Sequence, residues 1–255
     1  MEDHMAESLD PAARLHGLLD YCKNVASQSS RTGGQWANYL GLDEDSVAYI
    51  QALAQVTLLP SEVRSAFEGL RAAGATVPFD FLLEPLSEIE EAIFYGVRTQ
   101  SSQLSGFTGK YTAASVAIVA AASATLKAHA GPPVDATDLL DTVAATADDL
   151  STLLADDDTL EPDVRTLLYT LADGLRRSAQ TFKMTGSEGI AQERDLLIGR
   201  LSTNPGLQRN VRRHSNVVAL LVRFLRGTER AASFYNTAVE AGDGVQGMIQ
   251  SITAG

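Results

Sequence analysis

Cysteine is nearly absent from this 255-residue sequence, which contains only Cys22. A single thiol forms neither an internal disulfide nor a cysteine-based metal cluster within one chain. Aromatic residues are also scarce, at 6% of the composition, although 45% of all residues are hydrophobic. Alanine, leucine and valine therefore supply most of the apolar surface. This composition is typical of a globular protein built from closely packed helices.

Long hydrophobic runs are missing as well. The longest uncharged stretch after Lys110 covers 111–126 and is rich in Ala, Ser and Thr, whereas a transmembrane helix needs about 20 mostly apolar residues. The first residues, MEDHMAESLDP, are acidic and lack the apolar region of a signal peptide. We therefore expect a cytoplasmic protein with no membrane contact. Abundant alanine and aspartate, with far more arginine than lysine, indicate a bacterium with a GC-rich genome.

Motifs that would indicate a known chemistry are missing too. The histidines are His4, His16, His129 and His214, and they form none of the paired patterns of zinc or di-iron sites. The glycines of SGFTGKYT, 105–112, are separated by two residues, whereas a P-loop needs four. No Gly-x-Ser-x-Gly occurs. The sequence thus predicts no catalytic residue, no metal and no cofactor, and it favours a protein that is not an enzyme.

Runs of alternating β-branched residues are absent, while apolar residues recur at helical spacing along almost the whole chain. In the first helix, Asp10 and Pro11 are suited to be the N-cap and the first helical residue. The face predicted to be buried comprises Leu15, Leu18, Leu19, Cys22 and Val25. The sequence predicts an all-α fold, a bundle of about nine to eleven helices. A Ser- and Gly-rich linker divides it into helical subdomains 1–105 and 106–255.

Three further features lead to structural expectations. Pro60 is expected to begin a helix of its own. The alanine-rich segment 111–130 is expected to be a central helix of the second subdomain, packed on several sides. Trp36 and the pair Phe79 and Phe81 are expected to anchor the core.

Charge is the most informative feature of the sequence. The net charge is -12, yet residues 163–230 carry 12 bases and only 6 acids. The segment 135–161, here called the acidic segment, carries nine acids and no base. If 207–230 is one helix, six arginines lie within an arc of about 140°, opposite an apolar face. This set, the arginine stripe, comprises Arg209, Arg212, Arg213, Arg223, Arg226 and Arg230.

Three interpretations of the arginine stripe are open. The stripe is solvated or pairs with the acidic segment, within the fold or between subunits. It contacts an acidic protein partner, because the planar guanidinium pairs well with carboxylates. Alternatively, it follows the phosphates of a nucleic acid, which the overall acidity opposes.

The sequence therefore predicts a non-enzymatic adaptor or regulator that binds an acidic protein partner, or itself, through the arginine stripe. Two alternatives belong to other classes. One is a nucleic-acid-associated factor that uses the same stripe. The other is a small apolar-ligand binder or enzyme with a pocket beside the alanine-rich helix.

Overall fold

A computed structural model describes residues 10–129, 136–232 and 239–253, without the side chains of 136, 138, 229–232 and 239–244. These residues form thirteen α-helices, one π-helical turn and no β-strand, although one isolated antiparallel bridge joins Arg31 and Gln103. The all-α fold predicted from the spacing of apolar residues is confirmed. None of the described helices is both long and apolar enough to cross a membrane.

The helices follow one another through short connections. In chain order they are α1 (Pro11–Asp20), α2 (Thr32–Leu40), α3 (Val47–Ala72), α4 (Phe79–Leu83), α5 (Leu86–Arg98), α6 (Leu104–Thr108), α7 (Ala113–His129), α8 (Ala136–Asp156), α9 (Pro162–Thr185), α10 (Ser187–Thr203), α11 (Pro205–Arg212), α12 (Ser215–Ala232) and α13 (Val239–Thr253). The π-helical turn, Tyr21–Val25, continues α1. Helices α4 and α6 are little more than single turns, which contributes to a higher number of helices than the sequence predicts.

The chain forms two compact units. Among the described residues, the N-terminal unit comprises 10–129 together with Lys183–Gly186, and the C-terminal unit comprises the rest of 136–232 and 239–253. The sequence predicts a boundary at residue 105, whereas the contacts divide the chain near residue 131. The difference arises because the alanine-rich helix α7 packs against α1 in the N-terminal unit.

The buried face of α1 follows the predicted spacing except at its end. Leu15, Leu18, Leu19 and Cys22 are fully buried, but Val25 is 69% exposed. The backbone N–H of Ala26 donates to the carbonyl of Tyr21 at 2.9 Å, five residues earlier. This wider π-type turn moves Val25 away from the apolar face. The expectation for Val25 is therefore wrong.

Helix α3 continues through Pro60 instead of beginning again there. Ser46 caps its start, because the Ser46 hydroxyl accepts from the backbone N–H of Tyr49 at 3.1 Å. Pro60 lacks only the N–H that would bond to the carbonyl of Val56. The packing of a whole buried face compensates for that loss. This face comprises Tyr49, Ala52, Val56, Leu59, Pro60, Val63 and Phe67.

Helix α7 is not the central helix that the sequence predicts. It buries one face, which includes Val119, Ala122 and Leu126, and it packs chiefly against α1. The opposite face is exposed and consists of Ala114, Ala117, Ala121, Ala124 and Ala128. Alanine is the best helix former and exposes little apolar surface, so an alanine-rich helix does not require burial on every side.

The aromatic residues expected to anchor the core do so unequally. Trp36 is fully buried, and its ring meets the edge of Phe107 at a centroid distance of 5.1 Å. Phe79 is partly buried and packs against Phe67. Phe81 is 52% exposed, because in the short helix α4 it lies about 200° around the axis from Phe79. The expectation for Phe81 is therefore wrong.

Candidate protein-interaction surface

The arginine stripe lies on two helices rather than one. Helix α11 ends at Arg212 and α12 begins at Ser215. The N–H groups of Arg213 and His214 each donate to a carbonyl three residues earlier, at 3.1 Å. Such tight bonds close a helix rather than extend it. The predicted arc of six arginines on one continuous helix is therefore not formed.

Helix α12 packs against α8, and the two run antiparallel. Arg223 on α12 meets Asp149 in the second half of α8. Closer to the end of α12, a Cβ atom added at Gly227 would lie 3.0 Å from Cγ2 of Thr142. At this close approach, the buried faces of α8 and α12 pack against each other. Their buried apolar residues include Leu139, Val143 and Leu150 on α8 and Val217, Leu221, Phe224 and Leu225 on α12.

Two arginines of the stripe pair with the acidic segment. Arg223 Nη2 contacts Asp149 Oδ2. Arg213 Nη1 lies 3.3 Å from Glu161 Oε1, and His214 Nε2 lies 2.6 Å from Glu161 Oε2. The hydrogen bond from His214, with a further contribution from Arg213, holds the pKa of Glu161 below its usual value. The Arg223–Asp149 pair and the side chain of Arg213 are open to solvent, so water and salt screen their charges.

The acidic segment also pairs with arginines outside the stripe. Arg176 on α9 lies 3.6 Å from Asp148, and Arg165 lies 3.7 Å from Asp158. Neither arginine belongs to the set predicted from the sequence. The short connection between α8 and α9 could have predicted these ion pairs, because consecutive helices joined in this way usually pack side by side.

Three members of the stripe have no carboxylate within ion-pairing distance among the side chains that the structure describes. Arg209 and Arg226 are exposed, and Arg212 is partly buried. The Nε atom of Arg212 is buried and has no hydrogen-bond partner among those side chains. We call Arg209, Arg212 and Arg226 the free arginines. The side chain of Arg230, the sixth predicted residue, lies outside the described residues.

Two of the histidines, His129 and His214, have partners in the fold, and the cysteine is buried. His214 contacts Glu161, and His129 Nδ1 lies 2.9 Å from the carbonyl of Thr125. His4 lies outside the described residues. Cys22 is fully buried, and burial raises the pKa of its thiol to about 12, so it is protonated at neutral pH. Within the described ranges, no three His, Cys, Asp or Glu side chains are arranged to hold a metal ion.

A small cavity opens between α9 and α10 in the C-terminal unit. Its volume is about 20 Å³, which is room for one water molecule. The lining residues are Leu167, Thr170, Leu171, Glu193, Leu196, Leu197 and Arg200. Burial raises the pKa of Glu193. No residue of α7 lines this cavity, and it is far smaller than the several hundred cubic ångströms that a small-molecule site needs.

No protein-family model matches the chain, and comparisons with curated proteins and with solved structures give no match. A function for this chain must therefore be inferred from its own geometry and charge.

Proposed function

We propose that this chain is a non-enzymatic helical interaction protein, an adaptor or regulator, whose free arginines bind carboxylates of an acidic protein partner. The supporting observation is the unequal pairing within the arginine stripe. Arg213 and Arg223 have carboxylate partners in their own chain, whereas the free arginines have none among the described side chains. A second copy of the chain, with its exposed acids, is the other source of such carboxylates.

The chemistry of arginine favours this use. The guanidinium group stays charged and presents a planar set of donors that matches a carboxylate in a bidentate pair. Arg212 is well suited to bind a carboxylate, because its Nε is already buried in the unbound chain. A side chain that is already packed along its stem loses less conformational entropy on binding than a fully mobile one.

The test is affinity capture from a lysate of the source organism, with wild type beside the double variant Arg209→Glu/Arg226→Glu. Both arginines are exposed, so we expect the helical circular dichroism of the variant to be unchanged. We expect proteins that wild type captures to be lost from this variant, because each substitution places an acid against an acidic partner. Sedimentation of the purified wild type and variant separates partner binding from self-association.

The matched control is Arg98→Glu/Lys110→Glu, which changes the net charge by the same amount at two exposed positions elsewhere. This control should capture the same proteins as wild type. Capture that disappears after nuclease treatment would assign the surface to a nucleic acid, whose binding also weakens steeply with salt. Identical capture by wild type and both variants would contradict a role for the free arginines.

A further inference from the structure

The solvent side of α3 carries a row of large apolar side chains. Val47, Ile50 and Leu58 are 71%, 64% and 48% exposed, and Ala54 between them is exposed as well. At about 100° per residue, these four positions fall within about 80° of the helix surface and extend over about 16 Å. We call them the α3 apolar face. Single exposed apolar residues are ordinary, but a contiguous row on one helix indicates a contact surface.

The core of the N-terminal unit does not require the α3 apolar face. The opposite side of α3 supplies the buried residues, among them Tyr49, Val56, Val63 and Phe67. Helix α3 packs through that side against α1 and α5. Polar residues at positions 47, 50 and 58 would leave these contacts intact. The apolar row therefore lies outside the buried core of the N-terminal unit.

Exposed acids lie beyond both ends of the α3 apolar face. Residues 46–61 contain no charged side chain. Asp43 and Asp45 are exposed immediately before the helix. Glu68 is exposed near its end, eighteen residues after Ile50, which places it at the same angle around the axis. The apolar row is thus bordered by acids at both ends.

The arginines of α3 do not neutralise these acids. Arg64 is paired with Glu90 at 2.8 Å, and it lies to one side of the apolar row. The guanidinium of Arg71 lies over the ring of Phe79, 4.6 Å from its centroid. Neither arginine is ion-paired with Asp43, Asp45 or Glu68, so these acids are available to a partner at both ends of the α3 apolar face.

We propose that the α3 apolar face binds an amphipathic helix of another protein, which carries apolar residues at i, i+3 or i+4 and i+7 and Lys or Arg at both ends. Helices of this kind dock through such a set of apolar anchors. The flanking acids define the charge of the partner. A second copy bound through the same face is disfavoured, since either orientation brings acid against acid. This surface is separate from the free arginines and has the opposite charge preference.

The experiment measures binding of two labelled synthetic peptides to the full chain by fluorescence anisotropy. Both have leucines at i, i+3 and i+7, and one has two lysines at each end where the other has two glutamates. We expect the lysine peptide to bind at least about ten-fold more tightly. Ile50→Gln/Leu58→Gln should weaken its binding about ten-fold or more, because the anchors lose their apolar contacts. Asp43→Asn/Asp45→Asn/Glu68→Gln should reduce the difference between the peptides.

Matched variants elsewhere on the surface control for general effects. Phe94→Gln/Leu196→Gln removes two other exposed apolar side chains, and Asp80→Asn/Glu84→Gln/Glu91→Gln removes three other exposed acids. Both should bind the lysine peptide as wild type does. Binding that is unaffected by Ile50→Gln/Leu58→Gln would overturn the proposal. The proposal would also be overturned if the chain formed a dimer that requires Ile50 and Leu58, or if it bound neutral phosphatidylcholine vesicles through these two residues.

Discussion

Asp10 stabilises the start of α1 at a cost. One carboxylate oxygen accepts from the N–H of Ala13 at 2.7 Å, and the other accepts from the Ser123 hydroxyl at 3.0 Å. The residue is only 2% exposed. Burial, the largest influence, raises its pKa above the usual 3.8 despite these bonds and nearby Lys127. The carboxyl therefore acts as a helix cap whose charged form is disfavoured in the folded state.

The raised pKa of Asp10 determines how stability depends on pH. Its contribution to folding is fully present below the unfolded-state pKa and is lost as the pH rises through the higher folded-state pKa. We expect Asp10→Asn, which keeps an oxygen that accepts from Ala13, to be at least as stable as wild type at pH 7. Asp10→Ala should lose about 1 kcal/mol with the cap. Urea denaturation at pH 4 and pH 7 measures both, and equal losses in the two variants at pH 7 would refute the account.

At the scale of the element, Gly96 allows α5 to approach its aromatic neighbours. A Cβ atom added there would lie 2.7 Å from Cζ2 of Trp36 and 3.0 Å from Cδ2 of Phe107. Trp36 lies on α2 and Phe107 on α6, and both rings are fully buried. Neither ring has space to retreat without disturbing the close-packed core. A glycine at this position therefore determines how closely three helices pack.

We expect Gly96→Ala to destabilise the protein by about 1–3 kcal/mol through overpacking, although alanine favours a helix by about 1 kcal/mol. Gly69→Ala in α3 is the matched control, because an added Cβ there meets no atom within 4 Å. That control should stabilise by about 0.5–1 kcal/mol. Chemical denaturation of both variants provides the comparison. Equal shifts in the same direction would show that helix propensity, rather than packing, determines the effect.

The same elements show which features a sequence can predict. Local spacing identifies the buried face of α1 because Leu15, Leu18 and Leu19 each follow the helical period. It misplaces Val25, because a single π-type turn changes that period without a recognisable residue pattern. In the candidate surface, the sequence locates the arginines but neither the break between α11 and α12 nor the partners of each side chain. The separation of the arginines into paired and free members depends on where Asp149 of α8 and Glu161, between α8 and α9, lie in the fold, which local spacing does not encode.

At the scale of the whole molecule, the N-terminal unit is completed by residues distant in sequence. Met184 is fully buried in its core, and Arg14 donates a hydrogen bond to the Met184 carbonyl. Lys183 Nζ donates to the carbonyl of Tyr39 at 2.8 Å. Gly186 follows with a φ of 55°, in the left-handed region that favours glycine, and it separates α9 from α10. A boundary at one residue number therefore cannot describe the unit.

Met184→Ala should destabilise the N-terminal unit by about 2–5 kcal/mol, because it leaves a cavity among fully buried side chains. Trp36 is the only tryptophan and lies in the same core, so its fluorescence reports the unfolding of this unit. The control Leu196→Ala truncates a side chain that is 55% exposed and should leave the transition nearly unchanged. A midpoint for Met184→Ala equal to that of wild type would contradict the role of this residue.

The return of the chain at Lys183–Gly186 also affects the order of events during synthesis. When residue 131 has left the ribosome, the N-terminal core still lacks Met184. Translation must continue past residue 184 before that core can close, and until then apolar surface that Met184 will cover stays accessible on the nascent chain. Chaperones that recognise exposed apolar segments therefore have the time of translation between these two points in which to bind.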